Sequence, residues 1–216
     1  MGNEIVQPVV SYDNIVKEVP FSWLEKKNSI FKTLYKGKNK IKKEQFIKIV
    51  LIPLFPKLNA IVLDRVYVLI DYDSSGVDSQ KYVTFVYIVE KASKEDKMRF
   101  LFNLFDIKAC GKLDLRNFLH MQKAIVKSFD SFEPSPVIEN LVVLIAHTMF
   151  SSVPTGSLGN QISVKEEKTI NFLQWCRYME GNEILEILFA SILKSDRADF
   201  PSLPEKMIPD SPFLSM

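Results

Sequence analysis

Three oxygen-bearing side chains, two carboxylates and one hydroxyl, are spaced at every second residue in the first half of the chain. They are Asp71, Asp73 and Ser75, and Gly76 follows them directly. Side-chain oxygens at positions 1, 3 and 5, with glycine at position 6, are the pattern of a twelve-residue loop that wraps a calcium ion. These residues are therefore the candidate metal ligands of the chain, and calcium is the metal that suits their chemistry.

The same loop lacks the bidentate carboxylate that a calcium loop carries at position 12. An ungapped count from Asp71 places Tyr82 at that position. If the loop is one residue shorter than the standard twelve and lacks position 7, Val77 falls at the apolar position 8 and Lys81 at position 12. Neither count supplies a carboxylate, so we expect weak calcium binding at most and no firmly bound cofactor. The alternative is that Asp71 caps the turn through the backbone of its own loop, as Asx residues commonly do.

A second loop of the same kind begins at Asp106, within the stretch 97–121. Glycine lies at its position 6 and leucine at its position 8, and phenylalanines flank it on both sides. Its positions 3, 5 and 12 hold Lys108, Cys110 and Asn117. An ammonium, a thiol and an amide cannot form the oxygen cage that a hard cation requires. The sequence keeps the packing frame of the loop, and we expect no calcium binding here.

Helix–loop–helix patterns recur along the first half of the chain with a period of roughly 36 residues. The earliest of them has an entering helix at about 22–35 and a loop that contains Lys36, Lys38 and Lys40. Three ammonium groups in one loop would repel calcium. The repeat predicts an all-α protein built from units that pair to bury their apolar faces.

A fourth unit is predicted in the second half of the chain. Its entering helix is the apolar segment 141–150, and its exit helix follows Ile170. An inserted stretch near 151–169 separates the two, which is tolerated when the insertion lies on the surface. We expect Leu113 and Ile170 to lie opposite each other where the third and fourth loops meet.

Composition limits the classes of function. The 216 residues carry a net charge of +2, which is too small to argue for nucleic-acid binding. The longest apolar run, 47–58, contains prolines and lysines, so we expect no membrane span. Two cysteines favour a reducing, intracellular setting. Neither a phosphate-binding glycine loop nor the spacing of a catalytic triad or an acid–base carboxylate pair occurs, and we expect no catalytic residues and no enzymatic activity.

Two sets of side chains are candidates for contacts with protein partners. Phe21 and Trp23, together with the stretch 121–132, could line an open groove for a partner helix, although aromatic residues at helical spacing more commonly form a core. Phe31 and Phe46 are further candidates for contacts with a partner. The lysines of the first loop could meet an acidic partner, such as a tubulin surface or an acidic coiled coil. The alternative for these lysines is a solvated face.

Two longer motifs carry a resemblance to a known family. Asp64-Arg65-Val66-Tyr67 leads into Asp71, and Glu95-Asp96-Lys97-Met98-Arg99 leads into Phe105-Asp106. With these motifs the chain resembles EF-hand proteins of the calcineurin B and neuronal calcium sensor type over roughly residues 20–195. Within that group it is most similar to the calaxin type, EF-hand subunits associated with the docking of outer dynein arms on ciliary doublet microtubules.

The resemblance implies a fold of two EF-hand pairs, at residues 21–93 and 94–195. An N-terminal arm (1–20) precedes them, an extra helix near 183–193 closes the second pair, and a proline-rich tail (196–216) follows. We expect both terminal segments to be extended.

The resemblance also implies a function. The expected role is a non-catalytic, largely calcium-independent adaptor that contacts coiled-coil or helical docking subunits, and tubulin, in the cytoskeleton of a ciliary axoneme. One alternative is a regulatory subunit similar to calcineurin B, which would hold a helix of a phosphatase or transporter. Another is a true calcium sensor that acts through its first carboxylate-bearing loop.

Overall fold

The computed structural model describes residues 8–36, 38–129, 136–151 and 168–180, which are mostly helical. This confirms the all-α prediction. The elements, in chain order, are α1 (Tyr12–Glu18), α2 (Phe21–Leu34), α3 (Lys43–Phe46), a π-helical turn (Ile47–Leu51), α4 (Ile52–Leu54), α5 (Ala60–Ile70), α6 (Ser79–Glu90), α7 (Lys94–Phe105), β1 (Lys112–Asp114), α8 (Leu115–Phe129), α9 (Pro136–Ser151), β2 (Thr169–Asn171) and α10 (Phe172–Glu180). Most of the insertion predicted near 151–169, the helix near 183–193 and the tail 196–216 lie outside the described residues.

Side-chain caps explain where several of these helices begin. A short polar side chain accepts a hydrogen bond from a backbone N–H of the first turn, which has no partner within the helix. The caps of α1, α5, α6 and α7 are Ser11, Asn59, Asp78 and Ser93. The first of them changes the expected arm, because residues 12–18 are helical rather than extended and Ile15 is fully buried.

The helix that follows the first loop passes a proline before it ends. The sequence predicts that Pro53 stops this helix, but the helix continues to Leu54. The turn before the proline is π-helical, and the N–H of Ile52 bonds to the carbonyl of Ile47, five residues earlier. Because proline has no N–H to donate, one backbone hydrogen bond of the helix is missing at this position. The π-helical turn changes the local hydrogen-bond pattern, and the helix continues beyond the proline.

The loops of the chain pair in two places. The backbones of Ile41 and Val77 exchange two hydrogen bonds, with N···O distances of 2.9 and 3.0 Å. Strands β1 and β2 form an antiparallel ladder in which Leu113 lies opposite Ile170, as predicted. All four of these side chains are buried, so each loop contact closes the end of the core between its two helix–loop–helix units.

One apolar core runs through both halves of the described chain. Phe85 of α6 contacts Phe46 on one side and Phe100 of α7 on the other, with ring centroids 6.5 and 6.4 Å apart. In the second half Trp175 packs against Phe105 and is fully buried. The two halves are therefore joined by packed aromatic side chains as well as by the connecting backbone.

Polar side chains of α5 also bind the two halves together. The guanidinium of Arg65 donates to the carbonyls of Asn103, Leu104 and Asp106 at the end of α7, at 2.7, 3.3 and 2.5 Å. The carbonyls of Asn103 and Leu104 belong to the last turn of the helix, where no following turn supplies backbone donors, and that of Asp106 also accepts the N–H of Ala109 at 3.1 Å. At the other end of α5, the Asn59 amide donates to a backbone carbonyl of α8.

Replacing Arg65 with methionine should weaken the link between the two halves. The substitution keeps most of the apolar stem but leaves the carbonyls of Asn103 and Leu104 without their donor, and we expect a loss of about 1–3 kcal/mol in the free energy of unfolding. Urea denaturation followed by circular dichroism measures this loss. The control is Arg116→Met, because Arg116 is exposed; equal losses in both variants would contradict the assigned role.

Candidate functional site

The candidate ligands of the first carboxylate-bearing loop surround an ammonium group of the same chain. The Nζ atom of Lys81 donates to Oδ1 of Asp71 at 2.7 Å, to the carbonyl of Gly76 at 3.0 Å and to Oγ of Ser75 at 3.2 Å. It also donates to Oδ1 of Asp73. Four oxygens from four residues converge on one nitrogen, an arrangement that resembles the coordination of a cation more than a single ion pair.

The backbone places Lys81 at this centre. Val77 pairs with Ile41 of the neighbouring loop and occupies the apolar position 8. Asp78 then caps α6 by accepting the N–H of Lys81 at 2.9 Å, so the lysine lies in the first turn of the helix. The count in which the loop lacks position 7 therefore describes this loop, and position 12 is a lysine.

Gly76 is held in a conformation that other residues rarely adopt. Its φ is +92°, and a Cβ at this position would lie 3.1 Å from the carbonyl oxygen of Ile41. A left-handed backbone and a close neighbouring strand both favour glycine. The turn made here directs the carbonyl of Gly76 to the ammonium and its N–H to Asp71.

The hydrogen bonds of Asp71 confirm the hypothesis that this residue caps its own turn. Both of its carboxylate oxygens accept the N–H of Gly76, at 3.0 Å, and Oδ2 also accepts the hydroxyl of Tyr67 at 2.9 Å. The side chain is 5% exposed, and that of Lys81 is 4% exposed. This carboxylate is therefore satisfied by three groups of the chain itself, the N–H of Gly76, the hydroxyl of Tyr67 and the ammonium of Lys81.

Electrostatics keeps Lys81 and Asp73 charged at neutral pH. Burial opposes the charged form of Lys81, but hydrogen bonds and attraction from Asp71 and Asp73 outweigh it and raise the pKa of the ammonium above its ordinary value. The hydrogen bond from Lys81, together with the backbone N–H of Ser75, holds the pKa of Asp73 well below its usual range. On the outer side, Lys40 donates to Oγ of Ser75 at 2.8 Å and adds a second ammonium.

The loop that begins at Asp106 is also satisfied from within. Its first carboxylate accepts the N–H groups of Cys110 and Gly111, at 3.2 and 2.7 Å. Lys108, at position 3, forms an ion pair with Asp114 at 3.0 Å. Burial opposes ionisation of Asp114, but bonds from the Asn117 backbone and from Lys108 outweigh it and lower the pKa of the carboxyl. In both loops a lysine thus lies beside the carboxylates.

The structure separates the candidate partner contacts into two groups. Phe31 and Phe46 are 2% and 0% exposed, so they are core side chains and present no surface to a partner. Trp23 is half-buried, and its indole N–H donates to Glu90 at 3.1 Å. Lys27 forms an ion pair with the same carboxylate at 2.5 Å. The predicted groove is therefore closed at Trp23, because α2 is bound to the end of α6 at this point, whereas Phe21 is 76% exposed.

The lysines of the first loop remain on the surface. Lys36, Lys38 and Lys40 are all exposed. Lys36 has a left-handed backbone with φ of +48°, which turns the chain out of α2. The pairing of Ile41 with Val77 brings this loop beside the one that contains Lys81, and the bond from Lys40 to Ser75 joins them.

Sequence reasoning did not assign a role to Lys81. The sequence did contain an indication of this role, since the count that lacks position 7 places a lysine at position 12 of an otherwise acidic loop. Elsewhere in the described part of the chain, His, Cys, Asp and Glu side chains form no group of three or more that could hold a metal ion. Across the same residues, no helix is long and apolar enough to span a membrane.

Comparison of the chain with protein-family models and with curated proteins finds no match. The geometry of the two loops and of the surfaces around them is therefore the basis for the functional assignment.

Replacing Lys81 with methionine should destabilise the protein most near neutral pH. The methionine fills the volume of the lysine stem but leaves Asp71 buried without its counter-ion, a loss on the order of 3 kcal/mol. Thermal unfolding of both proteins between about pH 3 and pH 10 measures the difference. The control is Lys40→Met, which removes an exposed ammonium from the same cluster and should have a small effect.

The sign of the pH dependence follows from the two pKa shifts. The lowered pKa of Asp73 contributes stability that is present above about pH 4 and is lost as the pH falls toward the folded-state pKa. The raised pKa of Lys81 contributes stability that is present below about pH 10 and is lost at higher pH. The difference in stability between the wild-type protein and Lys81→Met should therefore shrink below about pH 4. A difference independent of pH would contradict the charged cluster.

Proposed function

We propose that the chain is a non-catalytic, calcium-independent adaptor of the EF-hand type, in which a lysine replaces the metal ion. The observation that carries the proposal is the ammonium of Lys81, which donates to four oxygens of the loop that would otherwise bind calcium. A calcium ion could enter only by displacing a buried, hydrogen-bonded cation. It would then find no carboxylate at position 12.

The pairing of the loops supports the EF-hand part of the proposal. Two helix–loop–helix units joined by a short antiparallel contact at position 8 of each loop are what a pair requires. Ile41 and Val77 make this contact in the first half, and Leu113 and Ile170 make it in the second. The proposed pairs are 21–93 and 94–195, with the same boundaries as the sequence predicts.

The closed first half favours a fixed adaptor over a sensor. A calcium sensor changes the angle between its helices and exposes an apolar groove when the ion binds. Here Trp23 and Lys27 of α2 both bond to Glu90 of α6, and the aromatic residues between the two helices are buried. The same closure argues against a regulatory subunit similar to calcineurin B that binds a helix in an open groove of this half.

The place of the adaptor in a ciliary axoneme rests on the resemblance to calaxin-type proteins and is the most specific part of the proposal. It predicts that the tagged full-length chain, added to axonemal extracts, captures coiled-coil or helical docking subunits of outer dynein arms, identified by mass spectrometry. The capture should be the same with calcium and with a chelator. Capture of a phosphatase catalytic chain in place of docking subunits would support the calcineurin B alternative.

Calorimetric titration with calcium tests the proposed metal independence. The wild-type protein should release no binding heat, because its cation position is filled. The Lys81→Glu variant removes the ammonium and places a carboxylate at position 12, and we expect it to bind calcium with a dissociation constant of roughly 10⁻⁴ M.

The matched control for this gain of binding is Lys81→Gln. It removes the ammonium without adding a bidentate carboxylate, so its affinity for calcium should be lower than that of the glutamate variant. Binding of calcium by the wild-type protein at micromolar concentrations, with a change in tryptophan fluorescence, would show that the loop is a working sensor and would overturn the proposal.

A further inference from the structure

Positive charge is concentrated in one short part of this nearly neutral chain. Residues 32–48, called the basic segment below, contain seven lysines and a single glutamate, which gives a charge of +6. The whole chain carries +2, so the rest of the chain carries −4. A segment of seventeen residues thus has a field opposite in sign to that of the remaining protein, and such an asymmetry steers charged partners toward one face.

The charges of the basic segment face solvent and are mostly not neutralised by the described residues. All seven lysines are exposed, including Lys32, Lys42 and Lys48. Within the described part of the chain, their one ion pair joins Lys43 to Asp64 at 2.9 Å, and both side chains are about half exposed. An exposed pair of this kind contributes little to stability, so a purely structural role does not explain the charge.

The basic segment is anchored on the protein at several points. The N–H of Lys38 bonds to the carbonyl of Tyr35 at 3.0 Å, and Ile41 bonds to Val77 in both directions. The side chains of Tyr35, Ile41 and Phe46 are buried. Lysines on an anchored backbone lose less freedom on binding than lysines on a flexible tail, which favours a specific docking surface.

The carboxylates of the neighbouring loop do not compensate the basic segment. The loop that pairs with it contains Asp71 and Asp73, which are already bonded to Lys81. The internal ammonium of that loop therefore does more than exclude a metal, since it leaves the positive charge of the neighbouring lysines available to another molecule.

The composition of the basic segment selects among anionic partners. It contains no arginine, so it lacks the forked donor that binds phosphates in bidentate fashion. Its aromatic residues, Tyr35 and Phe46, are buried, so it offers no ring on which a base could stack and no aromatic anchor for a lipid surface. Flexible lysine ammonium groups fit carboxylates that are spread along an extended chain.

We propose that the basic segment is a docking surface for an acidic polypeptide, a stretch rich in glutamate and aspartate on a partner protein. The inference rests on the proposed function in that it names the chemistry of the partner that the adaptor holds. Binding comes mainly from charge attraction, and it is therefore fast and sensitive to salt.

The probe is a fluorescein-labelled oligoglutamate peptide of about twelve residues, titrated with the full-length protein and followed by fluorescence anisotropy. Raising the salt from about 50 mM to about 300 mM should weaken binding roughly tenfold. The triple variant Lys36→Gln, Lys38→Gln, Lys42→Gln should weaken it by a similar factor. It spares the lysines that bond to Ser75 and Asp64, so the loop keeps its described contacts.

The control triple variant, Lys17→Gln, Lys91→Gln, Lys123→Gln, removes the same charge from exposed positions on three other parts of the protein. It should bind the peptide within about twofold of wild type if the surface is local. Equal weakening by both triple variants would show a non-specific charge effect and overturn the proposal. Stronger binding to single-stranded RNA, or to phosphatidylserine-containing vesicles, would overturn it in favour of another partner class.

The calcium titration separates this inference from the proposed function. A wild-type protein that releases no heat with calcium but does not bind the peptide would leave the metal-independent adaptor intact and remove only the docking surface. A wild-type protein that binds both calcium and the peptide would overturn the metal-independent adaptor and leave the docking surface intact.

Discussion

The pairing of two carboxylates with one lysine is the interaction on which the first half of this protein depends. Asp71 ends α5 and Lys81 lies in the first turn of α6, so their contact fixes how the two helices meet. The turn between them is shaped by the same contact, because the carbonyl of Gly76 also accepts from the ammonium. A buried ion pair adds little net stability compared with apolar residues, but losing one partner is costly. The lysine therefore specifies the geometry of the loop more than it strengthens the fold.

The chemical consequence is a cation site whose occupant cannot dissociate. A calcium ion exchanges with solvent, and its exchange is what couples a loop of this kind to a signal. A lysine on the same chain is present at a fixed stoichiometry and responds only to pH values far from neutral. In the second loop a lysine, Lys108, also forms an ion pair with a carboxylate of the loop, that of Asp114. Helix α5 connects this loop to the second half, because Arg65 bonds to carbonyls at the end of α7.

The sequence predicted the helical class and much of the loop contacts, and the reasons are local. Apolar residues at helical spacing fixed the positions of the helices, and the apolar position 8 was enough to place Leu113 opposite Ile170. The arm 1–20 was expected to be extended, yet Ser11 caps a helix whose buried residue is Ile15. Pro53 was expected to end its helix, and the π-helical turn beside it could not be read from residue types.

The candidate site was less predictable, because the contacts of Lys81 depend on how the two loops align when they pair. The ligands Asp71, Asp73 and Ser75 were evident from their spacing, but only the pairing of Val77 with Ile41 shows which residue occupies position 12. Burial was the second quantity that residue types did not supply. Phe31 and Phe46 were candidates for partner contacts, but both are buried in the core, whereas Trp23 is half-buried and bonded to Glu90.

The most direct measurement is the nuclear magnetic resonance signal of the Lys81 ammonium group, assigned by comparison with Lys81→Met. If the ammonium is the resident cation of the loop, its hydrogens should exchange slowly with water and give a resolved ¹H–¹⁵N correlation at neutral pH. That signal should remain unchanged when calcium is added in large excess. A Lys81 signal that is averaged with those of exposed lysines, or that moves on addition of calcium, would show that the ammonium does not hold this position.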